Sequence, residues 1–387
     1  MSDGSNFHAA PLARILFPTL AILGAAVLAY ESFETPQRAR ANFYVAANFA
    51  AWLATGALTL IALDAITGAS WSLPLRRLRE ACVAILPVAA TALILALFAY
   101  PSLFGAPATT SEPEGLSSFA SYWLQRPFFL ARALVYVTLW IAFAVAIIQS
   151  IRSAERTGLG LWSRGTVALS AAFLVVFGIT CWLASYDWIM ALERGWSSTI
   201  LGVYNFAGAI LSATALVTLL AVILRRSTSL RTALSDDCLH DLGTYLFGFS
   251  SFWMYIGYCQ YLLIWYTNHP DETSYLRVRL QNPWIAYWLS SVVLCWVIPF
   301  FVLLPRKNKR SGLLLTIVCL GVLAGRWLDL FVLIGPTQGT ALATFGLPEA
   351  TAAVVVTGVA GSVVLWYLSK APVTPLMATL SEHDRTL

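Results

Sequence analysis

Charge is what this 387-residue sequence has least of. Asp, Glu, Lys and Arg make up 11% of it against 59% hydrophobic residues, where an ordinary soluble domain is ~25% charged. That excludes a soluble globular protein. Histidine is scarcer still: His8, His240, His269 and His383 all fall at the edges of apolar runs or in the tails. A membrane b-type haem needs histidines within its helices, so a cytochrome b is excluded as well. The six cysteines, Cys82, Cys181, Cys238, Cys259, Cys295 and Cys319, form no C-x-x-C pair and no C-x-x-C-H. Neither an iron–sulfur cluster nor an attached c-type haem finds ligands in that set. Five of the six lie within apolar runs, where a free Cys is ordinarily a small core residue. The chain is therefore expected to bind no metal and no cofactor of its own.

What the sequence does contain is apolar length. Ten blocks, near 12–30, 43–66, 80–100, 128–151, 165–185, 198–224, 241–265, 284–304, 312–334 and 349–369, are each long enough to cross a hydrocarbon core of ~30 Å at ~1.5 Å per helical residue. Lipid satisfies no open sheet edge, so the spans must be helices. The expected fold is an all-α membrane protein of about ten transmembrane helices, with residues 1–387 forming one polytopic membrane domain. The polar stretch before the first block carries no basic cluster and no small-residue cleavage pattern follows it, so that helix reads as a retained span. The longest connection, residues 101–127, holds Pro101, Gly105, Pro107, Glu112, Pro113, Glu114 and Gly115.

The net charge of +5 follows from topology rather than from an anionic partner, and nucleic-acid binding is not expected. The even-numbered loops hold Arg76, Arg77, Arg79, Arg152, Arg156, Arg164, Arg225, Arg226, Arg231, Arg306, Lys307, Lys309 and Arg310. The odd ones hold only Arg38, Arg40, Arg126, Arg194, Arg277 and Arg279. The positive-inside rule places the even loops and both termini in the cytoplasm.

Ionisable groups inside the spans are few, and each costs about 2.5–3.5 kcal/mol at bilayer depth unless it finds a partner or water. They are Asp64 in the second span, Arg132 in the fourth, Asp187 at the outer end of the fifth with Glu193 just beyond, and Arg326 and Asp329 in the ninth. Arg326 and Asp329 are three residues apart and share a helical face. They form either an internal ion pair or a proton-exchanging carboxylate whose ionised form the guanidinium favours. Asp187 lies between Tyr186 and Trp188, with Trp196 nearby. This is either an interfacial aromatic belt with a capping Asp or a carboxylate in an aromatic pocket suited to a quinone headgroup.

The seventh span carries a polar stripe. Asp241, Thr244, Gly248, Ser251, Tyr255 and Tyr258 recur at alternating steps of three and four, which keeps them on one helical side. Hydroxyls so spaced could relay protons from His240 and Asp241 toward the outside. Small and hydroxylated residues also pack transmembrane helices together, and the spacing alone decides nothing between the two. Spans two to five and six to nine form two sets of four, each ending in an outer-half Asp beside a Trp. That pattern fits a duplicated four-helix unit over 43–185 and 198–334, with 12–30 and 349–369 as flanking helices.

Specific runs resemble a known family. Trp182-Leu183-Ala184-Ser185-Tyr186-Asp187-Trp188-Ile189-Met190-Ala191-Leu192-Glu193 and Gly202-Val203-Tyr204-Asn205-Phe206-Ala207-Gly208 are similar to the middle of the ActF-type subunit of alternative complex III. That subunit belongs to the NrfD-like (polysulfide reductase membrane subunit) group and is named a quinone-binding subunit of quinol:cytochrome c oxidoreductase. His240-Asp241-Leu242-Gly243, Gln260-Tyr261, Ile264-Trp265-Tyr266, Pro270-Asp271-Glu272-Thr273 and Arg326-Trp327-Leu328-Asp329-Leu330 carry the same similarity, which is specific over residues 180–335.

The resemblance implies two four-helix bundles with flanking helices in a bacterial cytoplasmic membrane, within a respiratory complex that oxidises menaquinol. Iron–sulfur and c-type haem subunits and a sister NrfD-like membrane subunit are then the partners, with membrane lipid around them. It matches Asp187, Arg326 and Asp329 to the family's outer polar group and His240 and Asp241 to its cytoplasmic entrance; joined to the residues read above, the expected proton path runs through His240, Asp241, Thr244, Ser251, Tyr255, Tyr258, Arg326, Asp329 and Asp64, and the expected quinone contact is Asp187, Tyr186, Trp188 and Glu193. No residue is expected to be catalytic by itself. Two positions depart from the family pattern: Gly195 stands where a His often precedes the Trp, and Arg326 stands where a titratable His is common. A secondary transporter or channel and a purely structural anchor for cofactor-bearing subunits are the alternatives.

Overall fold

With no water at bilayer depth, each backbone N–H must find its carbonyl within its own segment, and the apolar runs do so as helices. The computed structural model describes residues 11–100, 122–157, 162–193, 196–226, 234–338 and 344–370. His8, His383, residues 101–121 of the long connection, Arg194, Gly195 and Arg231 lie outside the described residues.

In chain order the helices are α1 (Pro11–Glu34), α2 (Pro36–Thr67), α3 (Arg76–Val83), α4 (Leu86–Ala99), α5 (Arg126–Arg156), α6 (Arg164–Trp188), α7 (Leu201–Leu224), α8 (Asp236–Thr267), α9 (Pro270–Arg279), α10 (Trp284–Val292), α11 (Ile298–Leu303), α12 (Gly312–Ile334) and α13 (Leu347–Leu368). No strand occurs among the described residues, and the all-α membrane fold stands. Nine helical stretches among them are long and apolar enough to cross a membrane. The tenth expected span is a helix too, since α8 runs for 32 residues. It falls outside the nine because Asp236, Asp237, His240 and Asp241 open it and hydroxylated residues recur along it.

Two four-membered rings form the centre of the helix packing. In one, α2 packs on α4 and α6, and α5 closes the ring between α4 and α6. In the other, α7 packs on α8 and α12, and α10–α11 close it between those two. The rings meet along α2 and α7, the most enclosed pair of spans. The approach is close because Gly56 faces the Ala209 carbonyl, where a Cβ would collide. Helices α1 and α13 pack on each other outside the rings, through Gly24, Gly358 and Gly361 against Val355, Ala21 and Phe17.

Two segments differ from the sequence-based expectation for physical reasons. Arg76, Arg77 and Arg79 were expected in a loop. They instead form α3, buried along its whole length, because Glu155 and Asp64 on neighbouring helices and Glu80 on α3 itself neutralise them. The eighth span is interrupted by a π-turn at Val293–Val297. Pro299 has no N–H for the Cys295 carbonyl, and the Ile298 N–H donates to Val293, five residues back.

One face of the molecule gathers the ends that carry Arg76, Arg152, Arg225 and Arg310, tied together by ion pairs such as Arg76–Glu155, Arg225–Asp236 and Arg310–Asp237. We call it the basic face.

Candidate functional site

The intramembrane charges singled out in the sequence all find partners, and the partners of Asp187 and Asp329 define two polar centres toward the face opposite the basic one. In the first ring, Asp187 closes α6 and is 1% exposed. Arg132 of α5 reaches it bidentately, Nε to Oδ2 at 3.0 Å and Nη2 to Oδ1 at 2.8 Å. The Trp123 indole N–H donates to Oδ1 at 2.8 Å and the Tyr136 hydroxyl to Oδ2 at 3.0 Å. The carboxylate thus accepts two hydrogen bonds on each oxygen, which fills its lone pairs. The Trp123 ring covers the guanidinium at 3.9 Å. This arrangement holds a charge in place, and a headgroup would have to displace one of four donors to reach it.

The other residues of the expected quinone contact diverge from Asp187. Trp188 points inward among Trp52, Trp140 and Tyr136. The Tyr186 hydroxyl lies at 3.4 Å from the Thr199 carbonyl on a solvent-accessible side. Glu193 accepts from Arg279 at 2.9 Å. The structure does not gather the four around one pocket.

The second centre is built on α12. Arg326 and Asp329, one turn apart, form a buried ion pair, and Tyr204 of α7 donates its hydroxyl to the same carboxylate. Gly208, one turn along α7, is required here, because a Cβ would overlap the Arg326 guanidinium. Trp253 of α8 lies 5.5 Å from that guanidinium. Gly325, the residue before Arg326, packs on Cys295 within the π-turn of the neighbouring span, the kind of helix irregularity that recurs at functional sites.

Unlike Asp187, Asp329 borders a recess. Its internal free volume is about 60 Å³, and Tyr204, Gln260, Tyr261, Tyr275, Arg279 and Trp288 are among its lining residues. Helix α9 forms part of its rim. Tyr275 stacks on Trp196 at 3.7 Å between centroids and 5° between planes, and Arg279 donates to both Glu193 and the Leu333 carbonyl. Burial pushes the Tyr275 phenol up to about 12, with Glu193 adding to the rise and Arg279 opposing it.

The stripe on α8 turns away from both centres. Tyr255 and Tyr258 are 61% and 53% exposed, Thr244 and Gly248 face outward, and nothing lies within 4 Å of a Cβ placed on Gly248. Thr244 and Ser251 donate to the carbonyls of His240 and Phe247 in their own helix. His240 and Asp241 lie 3.5 Å apart at the basic face. It is the other side of α8, carrying Trp253 and Gly257, that faces Tyr204 and Arg326. Asp64 is equally distant from the second centre by partnership: it pairs with Arg79 of α3.

Several residues of these centres were not singled out by sequence. Tyr204 and Tyr136 are hydroxyls on apolar helices, with no charge to flag them. Arg132 was recognised as costly, but its pairing with Asp187 spans 55 positions. A third polar group, Arg38 and Asn42 on the fully buried Glu349, joins α2 to the start of α13. Its one sequence signal is Glu349 in the first turn of an otherwise apolar helix. Among the described residues, no three His, Cys, Asp or Glu side chains come together as a metal site would require.

Comparison with models of protein families gives no match for this chain. A search of curated proteins likewise finds no match.

Proposed function

We propose that the chain is an integral membrane subunit of a respiratory quinol-oxidising electron-transfer complex of the alternative complex III type, in a bacterial cytoplasmic membrane with both termini on the cytoplasmic side. Its own contribution is proton handling at Tyr204, Arg326 and Asp329, beside a recess whose open mouth would take the edge of a menaquinol headgroup. Electrons pass to iron–sulfur and c-type haem subunits. The observation that carries this reading is the contrast between the two buried aspartates. Asp187 is saturated by four donors, whereas Asp329 shares its donor Tyr204 with the lining of an open recess.

Three features support the reading. Arg326 and Tyr204 both bond the Asp329 carboxyl, and Arg326 cannot itself titrate, so the one proton-exchanging carboxyl is held in place beside the recess. The recess combines aromatic walls, Trp288, Tyr261 and Tyr275, with an amide at Gln260, a lining suited to a planar polar-edged ring. The outward tyrosines of α8 suit burial against a sister membrane subunit. The proton path expected along that stripe would then run at a subunit boundary rather than within this chain.

A second reading, a secondary transporter or channel, draws on the π-turn beside Arg326, since interrupted helices mark many transport sites. Purification in mild detergent separates the two. The respiratory reading expects haem-bearing and iron–sulfur polypeptides to accompany the chain, and isolation as a lone oligomer that moves a solute across vesicles would replace it. In the assembled complex, Asp329→Asn and Tyr204→Phe should each lower quinol turnover and proton release, Asp329→Asn by about a hundredfold, in the range of lost acid–base groups. Unchanged turnover and release in both variants would leave the chain as an anchor only.

A further inference from the structure

Glu80, fully buried on α3, is surrounded by more positive charge than it can neutralise. Arg76, Arg77 and Arg152 approach its carboxylate at 3.2, 2.9 and 3.6 Å, and the Tyr367 hydroxyl donates to it at 2.7 Å. Arg152 also donates to the Tyr367 oxygen, and Arg77 lies 5.0 Å from the Tyr367 ring centre. Glu155 takes the far end of Arg76 at 2.7 Å. Lys370, three residues past Tyr367 and just beyond α13, lies above the Trp366 ring at 5.5 Å. Asp64 does not redress the balance, because Arg79 already occupies it. Three guanidinium groups thus meet two carboxylates, and Nη1 of Arg76 and Nε of Arg77 are buried without a hydrogen-bond partner.

The cluster is not sealed. The Arg152 side chain is 42% exposed, and Trp366, the residue before its partner Tyr367, faces outward at the end of a membrane-length helix, where indoles mark the headgroup level. A guanidinium excess at that depth matches a phosphate, whose oxygens accept its paired N–H donors.

We infer that Arg152, backed by Arg76 and Arg77 and with Lys370 at the adjoining end of α13, forms a binding site for a phosphate oxyanion at the basic face, with an anionic phospholipid headgroup or inorganic phosphate as its source. The geometry favours the headgroup: the open side lies against lipid level, and basic clusters at transmembrane helix ends recognise anionic lipids.

The test places the full chain in nanodiscs of phosphatidylcholine with or without phosphatidylglycerol, and counts lipids retained after delipidation by native mass spectrometry. The wild type should retain phosphatidylglycerol over phosphatidylcholine. Arg152→Gln should lower that preference about tenfold, and Arg226→Gln, exposed elsewhere on the same face, should leave it intact. In phosphatidylcholine alone, a rise in thermal midpoint with inorganic phosphate that Arg152→Gln abolishes would make the free ion the source. The inference is overturned if the wild type shows neither lipid preference nor phosphate response, or if folded Arg152→Gln keeps both. An equal loss in Arg226→Gln overturns it too, because diffuse charge then accounts for the binding. Should Arg152→Gln fail to fold, Lys370→Gln is read by the same criteria.

Discussion

Tyr204 reaches from α7 to the Asp329 carboxylate on α12, and Tyr44 makes the corresponding reach in the other ring, from α2 to the Trp188 carbonyl at 2.6 Å, one residue past Asp187. In each ring, a tyrosine on the first helix ties down the last helix beside its aspartate. The difference lies in where the arginine comes from. Arg326 is on the same helix as its carboxylate, while Arg132 arrives from a neighbour.

That difference makes the first centre the stronger inter-helix tie. Replacing Arg132 or Asp187 alone by Ala leaves a buried, unpaired charge, so each should cost about 3–5 kcal/mol. The double variant should cost clearly less than the sum. Unfolding of the single and double variants in detergent measures the coupling, and simple additivity would refute the pairing.

Gly208 offers a steric test of the second centre. Gly208→Ala should destabilise by about 1–3 kcal/mol, because the guanidinium behind it is pinned by Asp329 and has no room to retreat. Gly178→Ala, where nothing lies within 4 Å of the new methyl, should be neutral or slightly stabilising through helix propensity. Thermal midpoints of the two variants should separate clearly.

The outward direction of the α8 stripe predicts a split between isolated and assembled protein. Tyr255→Phe and Tyr258→Phe should leave the thermal stability of the isolated chain unchanged, since neither hydroxyl reaches the interior. A clear loss of midpoint in the isolated chain would mean that the hydroxyls meet this chain's own core.

Tyr275 should give an alkaline signature. Its phenol titrates near about 12 in the folded chain against the ordinary 10.0, so the folded state holds this proton more tightly than the unfolded one. The associated stability is complete below pH 10 and falls as pH rises toward 12, by at most about 1.4 kcal/mol per pH unit. Tyr275→Phe should flatten that part of the stability–pH curve, and identical slopes for the two proteins would contradict the burial of the phenol.

The helices were legible because apolar length is a local property. All ten spans, α8 over 241–265 among them, were read from apolar length. The three-and-four spacing along α8 showed that Asp241, Thr244, Ser251, Tyr255 and Tyr258 share a side but not which way that side faces, since direction is set by what α7, α11 and α12 present to the helix. Arg326 and Asp329 were found together because their partnership is three residues long. Arg132 with Asp187, and Arg79 with Asp64, were visible as isolated charges, and only folding supplied their partners. Arg76, Arg77 and Arg79 looked like a solvated loop because a basic run before an apolar stretch gives no hint of the Glu155 and Tyr367 that await it.

The π-turn at Val293–Val297 also sets a phase. One extra residue in a turn rotates the helix after it by about 100° relative to an uninterrupted α-helix. Trp288 therefore faces the recess in one register while Phe300, beyond the widened turn, stacks on Phe247 in another. Deleting a single residue between Val293 and Val297 would bring the two halves into one register, so that only one of these aromatic contacts could be kept.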